Sequence, residues 1–418
     1  MIKEHCYGTV FFFNDFLRAV LFHRNVVQWP VMERLWKINA VKAVYRRQKC
    51  KTDTDRTEYG DEKMERHPLC RKIYLELAPP TEEDARGDRE RILDGLTGEH
   101  TTAVMPLQVM RKLYPLCRKA GWKVTLLMGF HDGVWEILDI EAGDTTDQLY
   151  GLAVDYGSTT LVMQVVDLHT GETLAQQTAF NPQIPYGEEI LSRIFYTKDQ
   201  PEHLKELQQK TVEGFNALIR ACEEVTGIPK DQYGAMVIGG NTTMIHLLLG
   251  LSPWPVFETP FAPVAQHPGF VRAKELGLEL PGYVYAFPAA ANYLGGDIIS
   301  GLLAAGLDQS SELSVFIDIG TNGELVAGNS EFLLAGAGAA GPALEGGISR
   351  YGMRADTGAV DRVTVQKDDL MLHVIGDEKP RGICGSGIVE LLAGMFLNGW
   401  VDALGNLNPN ASSRIIRV

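Results

Sequence analysis

The hydrophobic pattern changes period several times along the chain. Arg71-Lys-Ile-Tyr-Leu-Glu-Leu77 alternates as a strand should, and Pro79-Pro80 ends it. Asp84 to Leu96 is a charged stretch with helical character, and Pro106 to Ala120 predicts a second helix. Trp122 to Met128 and Gly133 to Leu138 read as strands, and Glu141 to Gln148 as a linker, so residues 67–148 form a small α/β unit. From Leu149 a longer domain begins. Two apolar strands flank the turn at Tyr156 to Thr160, and Asn181-Pro-Gln-Ile-Pro-Tyr-Gly187 is turn-rich. From Pro201 to Val225, Leu204, Leu207, Val212, Phe215, Leu218, Ile219 and Cys222 fall on one helical face. Ala235 to Ile238 is a buried strand ahead of a helix from Met244 to Leu249, and further helices are expected over Ile298–Ala305 and Ile388–Leu397. Residues 1–66 differ: an aromatic-rich start, a basic stretch from Lys42 to Lys51 and a polar run from Thr52 to Arg66 carry no motif.

Two stretches share one layout. Leu152-Ala-Val-Asp-Tyr-Gly-Ser-Thr-Thr-Leu161 and Val315-Phe-Ile-Asp-Ile-Gly-Thr-Asn-Gly-Glu324 each run apolar strand, Asp, one residue, Gly, small polar residues, second strand. Their spacing suits one half of a duplicated α/β domain. Gly157 and Gly320 let the backbone turn where a Cβ would clash, bringing amide N–H groups within reach of phosphate oxygens. Ser158, Thr159, Thr160 and Thr321 add hydroxyl donors, and Asn322 and Gly323 complete the second loop. Asp155 and Asp318 end buried-looking strands, where a carboxylate is costly without a cation, and Mg²⁺ is the natural one. A strand follows each loop and no Walker lysine is present, so these are not P-loops. Two further turns are candidates: Gly239-Gly-Asn-Thr-Thr243, with Gly239, Gly240 and Asn241 as an anion or ribose site or a tight strand-to-helix turn; and Gly385, Ser386 and Gly387, on phosphate or adenosine or a glycine-cushioned helix start. Cys384 reads as a redox thiol or, more simply, a small buried hydrophobe.

Composition narrows the classes. A net charge of −14 argues against nucleic-acid or anionic-membrane binding. The early apolar run Val10–Phe22 is interrupted by Asn14, Asp15 and Arg18 and is too short and polar to span a bilayer, so a cytoplasmic location is expected. Cys6, Cys50, Cys70, Cys117, Cys222 and Cys384 form no C-x-x-C pair and no iron–sulfur spacing, and read as reduced structural thiols.

The two loops resemble those of the superfamily that contains acetate and sugar kinases, heat-shock chaperones and actin. The fold class expected is therefore a duplicated actin/sugar-kinase-like ATPase domain over 149–418, preceded by the small α/β domain at 67–148. Six strings in order are similar to one family, the ATP-dependent reductive activators of corrinoid proteins. They are Gly151 to Thr160, Asn181 to Glu188, Gly239 to Met244, Phe316 to Glu324, Ala340 to Gly347 and Ile383 to Gly387.

The resemblance implies ATP and Mg²⁺ as ligands, Asp155 and Asp318 organising the metal through water, and Gly157–Thr160 and Gly320–Gly323 holding phosphates. It also implies a cobalamin-carrying methyl-transfer protein as partner, returned from Co(II) to Co(I), and a low-potential electron donor; a homodimer is compatible with it. The loop from Glu345 to Met353 is a candidate partner contact or a structural turn. The family's iron–sulfur module is expected to be absent from residues 1–66, which lack its clustered cysteines. The second lobe is expected to be incomplete, because no counterpart of the long helix and strand–Gly-Gly–helix follows Trp400. Two other readings stay open: a small-molecule kinase of the sugar or acetate type, for which no convincing base is found, and a truncated, non-catalytic binding fragment.

Overall fold

The computed structural model describes residues 68–187, 189–319, 323–338, 350–353, 355–366, 369–402 and 404–415. They form two compact units, 68–301 and 302–415.

The first unit opens with an antiparallel sheet of β1 (Cys70–Glu76), β2 (Lys123–His131) and β3 (Val134–Ala142), in that order. Helices α1 (Asp88–Asp94) and α2 (Leu107–Lys119) cover one face. Ile92, Val109, Leu113, Cys117, Val124, Leu126 and Ile137 are buried together there. β2 is the central strand and is covered on both sides, so Val124 to Met128 are all buried and its pattern no longer alternates. The first helix is shorter than Asp84 to Leu96 predicts, because the Asp84 side chain is engaged by Arg86 and Arg91 in the preceding turn. The strand begun at Val134 runs on to Ala142, into the stretch read as linker.

The other face of β2 meets a six-stranded sheet, ordered β6-β5-β4-β7-β9-β8, from β4 (Tyr150–Tyr156), β5 (Thr160–Asp167), β6 (Thr173–Phe180), β7 (Tyr233–Gly240), β8 (Gly269–Arg272) and β9 (Tyr283–Ala286). Cys70, Leu127 and Leu138 pack against Leu149, Ala235 and Tyr283 at that contact. Burial pushes the Cys70 thiol up to about 12, the behaviour of an inert structural cysteine. β4, β7 and β9 run parallel, while β5, β6 and β8 pair antiparallel. Leu152, Val154 and Tyr156 of β4 alternate into a core closed by α4 (Pro201–Thr226). α4 buries the predicted face, with Leu207, Phe215, Leu218, Ile219 and Cys222 buried and Leu204 and Val212 half-buried. It ends at Gly227 in the left-handed conformation, whose N–H caps Glu223 O. Helices α3 (Ile190–Thr197) and α5 (Thr242–Leu249) touch through Arg193 and Met244, α6 (Ala273–Leu276) is a single turn, and α7 covers Gly296–Ala305.

The second unit holds two three-stranded sheets. β10 (Ser314–Ile319), β11 (Gly323–Asn329) and β12 (Phe332–Gly338) pair antiparallel in sequence order. β14 (Asp369–Val374), β13 (Ala359–Gln366) and β15 (Gly382–Ile383) form the other, against which α8 (Gly385–Leu397) packs over Val360, Val363 and Val365. The glycine-dense stretch Ala335 to Gly338 is the end of β12; Ala339 to Pro342 lie outside the described residues.

Candidate functional site

The first hairpin has the predicted form. Asp155 lies near the carboxyl end of β4, and a turn returns the chain at Thr160 into β5. Gly157 N–H donates to Thr160 O at 3.0 Å, and a Cβ on Gly157 would stand 2.7 Å from that oxygen. The turn therefore needs glycine for closeness. The parallel β4–β7 register sets Asp155 opposite Gly239 and Tyr156 opposite Gly240. The sequence-predicted Gly239, Gly240 and Asn241 are thereby brought beside Asp155, Gly157, Ser158, Thr159 and Thr160. This edge, beyond the carboxyl ends of parallel strands, is where open α/β sheets bind their ligands.

One expectation needs correction. Asp155 is exposed, so burial does not by itself demand a cation there. The cause is strand alternation: Val154 and Tyr156 point into the core and Asp155 to the other side. Asp318, at the equivalent point of β10, is half-buried. An exposed carboxylate beside three hydroxyl side chains is still a hard-oxygen donor set suited to Mg²⁺ with its own waters. Among the described residues no cluster of three or more His, Cys, Asp or Glu is placed to hold a metal.

The glycines at the β7 end are built into close packing. A Cβ on Gly240 would stand 2.9 Å from Tyr156 O, and one on Gly239 3.1 Å from Ser300 Oγ. Asn241 is the N-cap of α5, its Oδ1 accepting from Met244 N–H at 2.9 Å.

Sequence reasoning missed what lies behind the hairpin. Arg193 of α3 is wholly buried, and its Nη2 donates to Ser158 O at 2.6 Å, its Nε to Gly187 O at 2.9 Å and its Nη1 to Gln183 Oε1 at 3.3 Å. Burial lowers its pKa to about 10, still well above neutrality, so it is a buried cation. Asn181 Nδ2 donates to Gly157 O at 2.8 Å, and Asn181 N–H to Thr159 O at 2.8 Å. Gln183 Nε2 reaches Leu207 O and Thr211 Oγ1 on α4, and Thr211 Oγ1 meets Tyr156 OH at 2.7 Å. The available signal was the Asn181–Gly187 string, in which Asn and Gln sit among turn formers.

In the second unit the β10–β11 hairpin pairs Asp318 with Glu324. Gly320, Thr321 and Asn322 lie outside the described residues, and Gly323 opens β11. The loop from Glu345 falls outside them up to Ser349. Gly385, Ser386 and Gly387 form the first turn of α8, with Cys384 as N-cap. Cys384 is buried and its Sγ contacts Ser386 Oγ at 3.1 Å. A Cβ on Gly387 would stand 2.3 Å from Val360 O, so helix–strand packing accounts for that glycine. No helix among the described residues is long and apolar enough to cross a membrane.

A mixed α/β fold with this pair of Asp-x-Gly hairpins defines the actin-like ATPase class. Residues 60–147 match the RACo linker region, 150–310 the RACo middle region, and 312–418 the C-terminal domain of RACo, the ASKHA domain. The chain belongs to the RACo family. It is 34% identical over 272 residues to the corrinoid activation enzyme RamQ of Eubacterium limosum, covering 64% of this chain and 45% of RamQ. It is 23% identical over 304 residues to the [Co(II) methylated amine-specific corrinoid protein] reductase of Methanosarcina barkeri, covering 63% and 53%. The solved structure of a reductive activator for corrinoid, iron-sulfur protein superposes with a TM-score of 0.74 at 35% identity, covering 85% of this chain and 57% of that one. The chain thus spans about half the length of the curated relatives it matches.

Proposed function

We propose that the protein is an ATP-dependent reductive activator of a corrinoid protein. The observation that carries this is the Asp155–Thr160 hairpin, set beside Gly239–Asn241 at the carboxyl edge of the parallel strands, in a chain whose named relatives act on corrinoid proteins. In this reading Gly157, Ser158, Thr159 and Thr160 bind phosphate oxygens through amides and hydroxyls. Gly320, Thr321, Asn322 and Gly323 do the same from the second hairpin, while Gly239, Gly240 and Asn241 offer an anion or ribose site and Gly385, Ser386 and Gly387 a phosphate or adenosine site. Asp155 and Asp318 would hold Mg²⁺ through its waters, and the ion would supply positive charge to neutralise the phosphates. Nucleotide binding and hydrolysis are coupled to a change around the partner's cobalt, so that one electron from a low-potential donor converts Co(II) to Co(I) and methyl transfer can resume. The buried, unpaired Cys70, Cys117, Cys222 and Cys384 support a reducing, cytoplasmic setting.

The test is calorimetry of Mg·ATP binding to the chain and to Asp155→Ala and Asp318→Ala. Binding that both substitutions weaken, followed by ATP-dependent reduction of a Co(II) corrinoid protein seen in its visible spectrum, is the expected result. ATP turnover stimulated by a sugar or acetate, with no effect on a corrinoid protein, would replace this reading by a kinase. Binding without turnover would point to a non-catalytic binding role, and absence of Mg·ATP binding would mean that the nucleotide site is incomplete in this chain.

A further inference from the structure

We propose that Asn181 and Arg193 are positioning residues that hold the Gly157–Thr160 loop as a preformed anion cradle. The proposal rests on the nucleotide reading of this hairpin and adds how the loop gets its shape.

Three consecutive carbonyls of the loop are drawn to one side. Gly157 O accepts from Asn181 Nδ2, Ser158 O from Arg193 Nη2, and Thr159 O from the Asn181 N–H. In a trans peptide the C=O of one residue and the N–H of the next point in opposite directions. Turning the carbonyls of 157 to 159 toward Asn181 and Arg193 therefore turns the N–H groups of 158 to 160 the other way. Successive N–H groups on one side of a turn form a concavity that attracts anions.

The clamp is itself anchored. Gln183 N–H donates to Asn181 Oδ1 at 2.9 Å, tying the two arms together. Gln183 then reaches α4 through Leu207 O and Thr211 Oγ1, and Thr211 returns to Tyr156, one residue before the loop. The chain of hydrogen bonds thus begins and ends on the hairpin. Burying a guanidinium is expensive, and a packed apolar side chain would stabilise the core as well or better. An apolar side chain could not hold the Ser158 carbonyl, nor place a positive charge directly behind the cradle, where it favours a bound anion. Neither Asn181 nor Arg193 is placed to touch the nucleotide; both act through the loop.

Arg193→Lys keeps the charge but replaces a fork with a point donor, and Asn181→Asp keeps the shape but removes the donor to Gly157. The measurements are Mg·ATP and adenosine binding by calorimetry, and amide exchange of the 156–162 segment by mass spectrometry without nucleotide. In each variant the Mg·ATP dissociation constant is expected to rise about tenfold, the scale of one charge-assisted hydrogen bond. Adenosine affinity should stay unchanged, and exchange should quicken in 156–162 but not in α4. A folded Arg193→Lys protein with parental Mg·ATP affinity and parental exchange would overturn the proposal, as would equal losses for ATP and adenosine with exchange raised throughout. If the parent chain binds no Mg·ATP, the nucleotide reading fails and exchange alone decides: faster exchange confined to 156–162 upholds the clamp, and unchanged exchange removes it.

Discussion

Asp155 lies directly across the parallel β4–β7 ladder from Gly239, a residue without a side chain. The pairing puts the hairpin carboxylate beside a strand end that stays narrow because α7 comes down onto it. Ser300 Oγ and Gly296 O would lie 3.1 and 3.3 Å from a Cβ at Gly239. The same approach continues one step on, where a Cβ at Gly295 would stand 2.4 Å from both Asn241 Cα and Gly240 O. The glycines on both sides of this edge are therefore a matched pair of surfaces.

Gly295→Ala should accordingly be among the most damaging small substitutions in the first unit. Its methyl meets backbone that cannot rotate away, and overpacking of this kind costs roughly 1–3 kcal/mol or more. Gly143→Ala is the control. Its backbone has φ +78°, but nothing lies within 4 Å of a Cβ there, so only left-handed strain of about 1 kcal/mol is expected. Urea midpoints of the two variants check this, and equal losses would show that the α7 contact does not govern the site.

The parts of the site that were legible are those whose signals are local. The β4–β5 hairpin announces itself by apolar runs on either side of a glycine turn, and α4 by seven apolar residues at helical spacing. Asp155 lies near the strand end its motif implies but on the exposed face, since an apolar run shows a strand is buried without showing which face. Arg193 was invisible for a different reason. An arginine in the short stretch Ile190–Thr197 reads as a solvated charge, and its burial depends on Ser158, Gln183 and Met244, contacts made only by the folded chain. Glu136 hid in the same way, as a charge in a strand facing a partner far along the sequence.

Asn241 offers a test of the second element at this edge. Its side chain satisfies the Met244 N–H at the start of an eight-residue helix that is almost entirely buried. Asn241→Ala should cost about 1 kcal/mol, the usual worth of an N-cap, and Asn241→Asp or Asn241→Ser should recover most of it. If Asn241→Ala also weakens Mg·ATP binding and the capping replacements restore stability but not binding, the residue does more than cap.

Glu136 of β3 fixes the small sheet to the larger one. It is 1% exposed and accepts both Arg272 Nη1 and Nη2 at 2.5 Å and Tyr283 OH at 2.8 Å. Burial and then the bond to Glu136 push the Tyr283 phenol well above its ordinary pKa. Glu136→Gln keeps the volume but removes one acceptor oxygen and the charge closest to Arg272, leaving it the more distant Glu275 carboxylate, 3.8 Å from its Nε. Since Arg272 is partly exposed, the loss should be roughly 1–3 kcal/mol, below that of a fully buried pair. Thermal unfolding of Glu136→Gln measures it, and Arg272→Met with Glu136→Leu should regain stability that either single change loses.

His246 should make stability depend on pH just below neutrality. It is buried in α5, with Nδ1 2.7 Å from Thr242 O and Nε2 3.3 Å from Ala265 N. A carbonyl can only accept, so Nδ1 carries the proton, and Nε2 must be bare to receive the Ala265 N–H. A second proton would set two donors face to face. Burial lowers the pKa from its ordinary 6.5, the bond to Thr242 O opposing. With the folded pKa below the unfolded one, the unfolded chain takes up the proton first. The stabilisation is therefore complete above pH 6.5 and is lost as pH falls through the folded pKa, at up to about 1.4 kcal/mol per pH unit. His246→Gln cannot titrate, so its deficit relative to the parent should shrink between pH 7 and pH 5 in denaturant unfolding. A deficit that stays constant across that interval would mean His246 remains neutral in both states or charges equally in each.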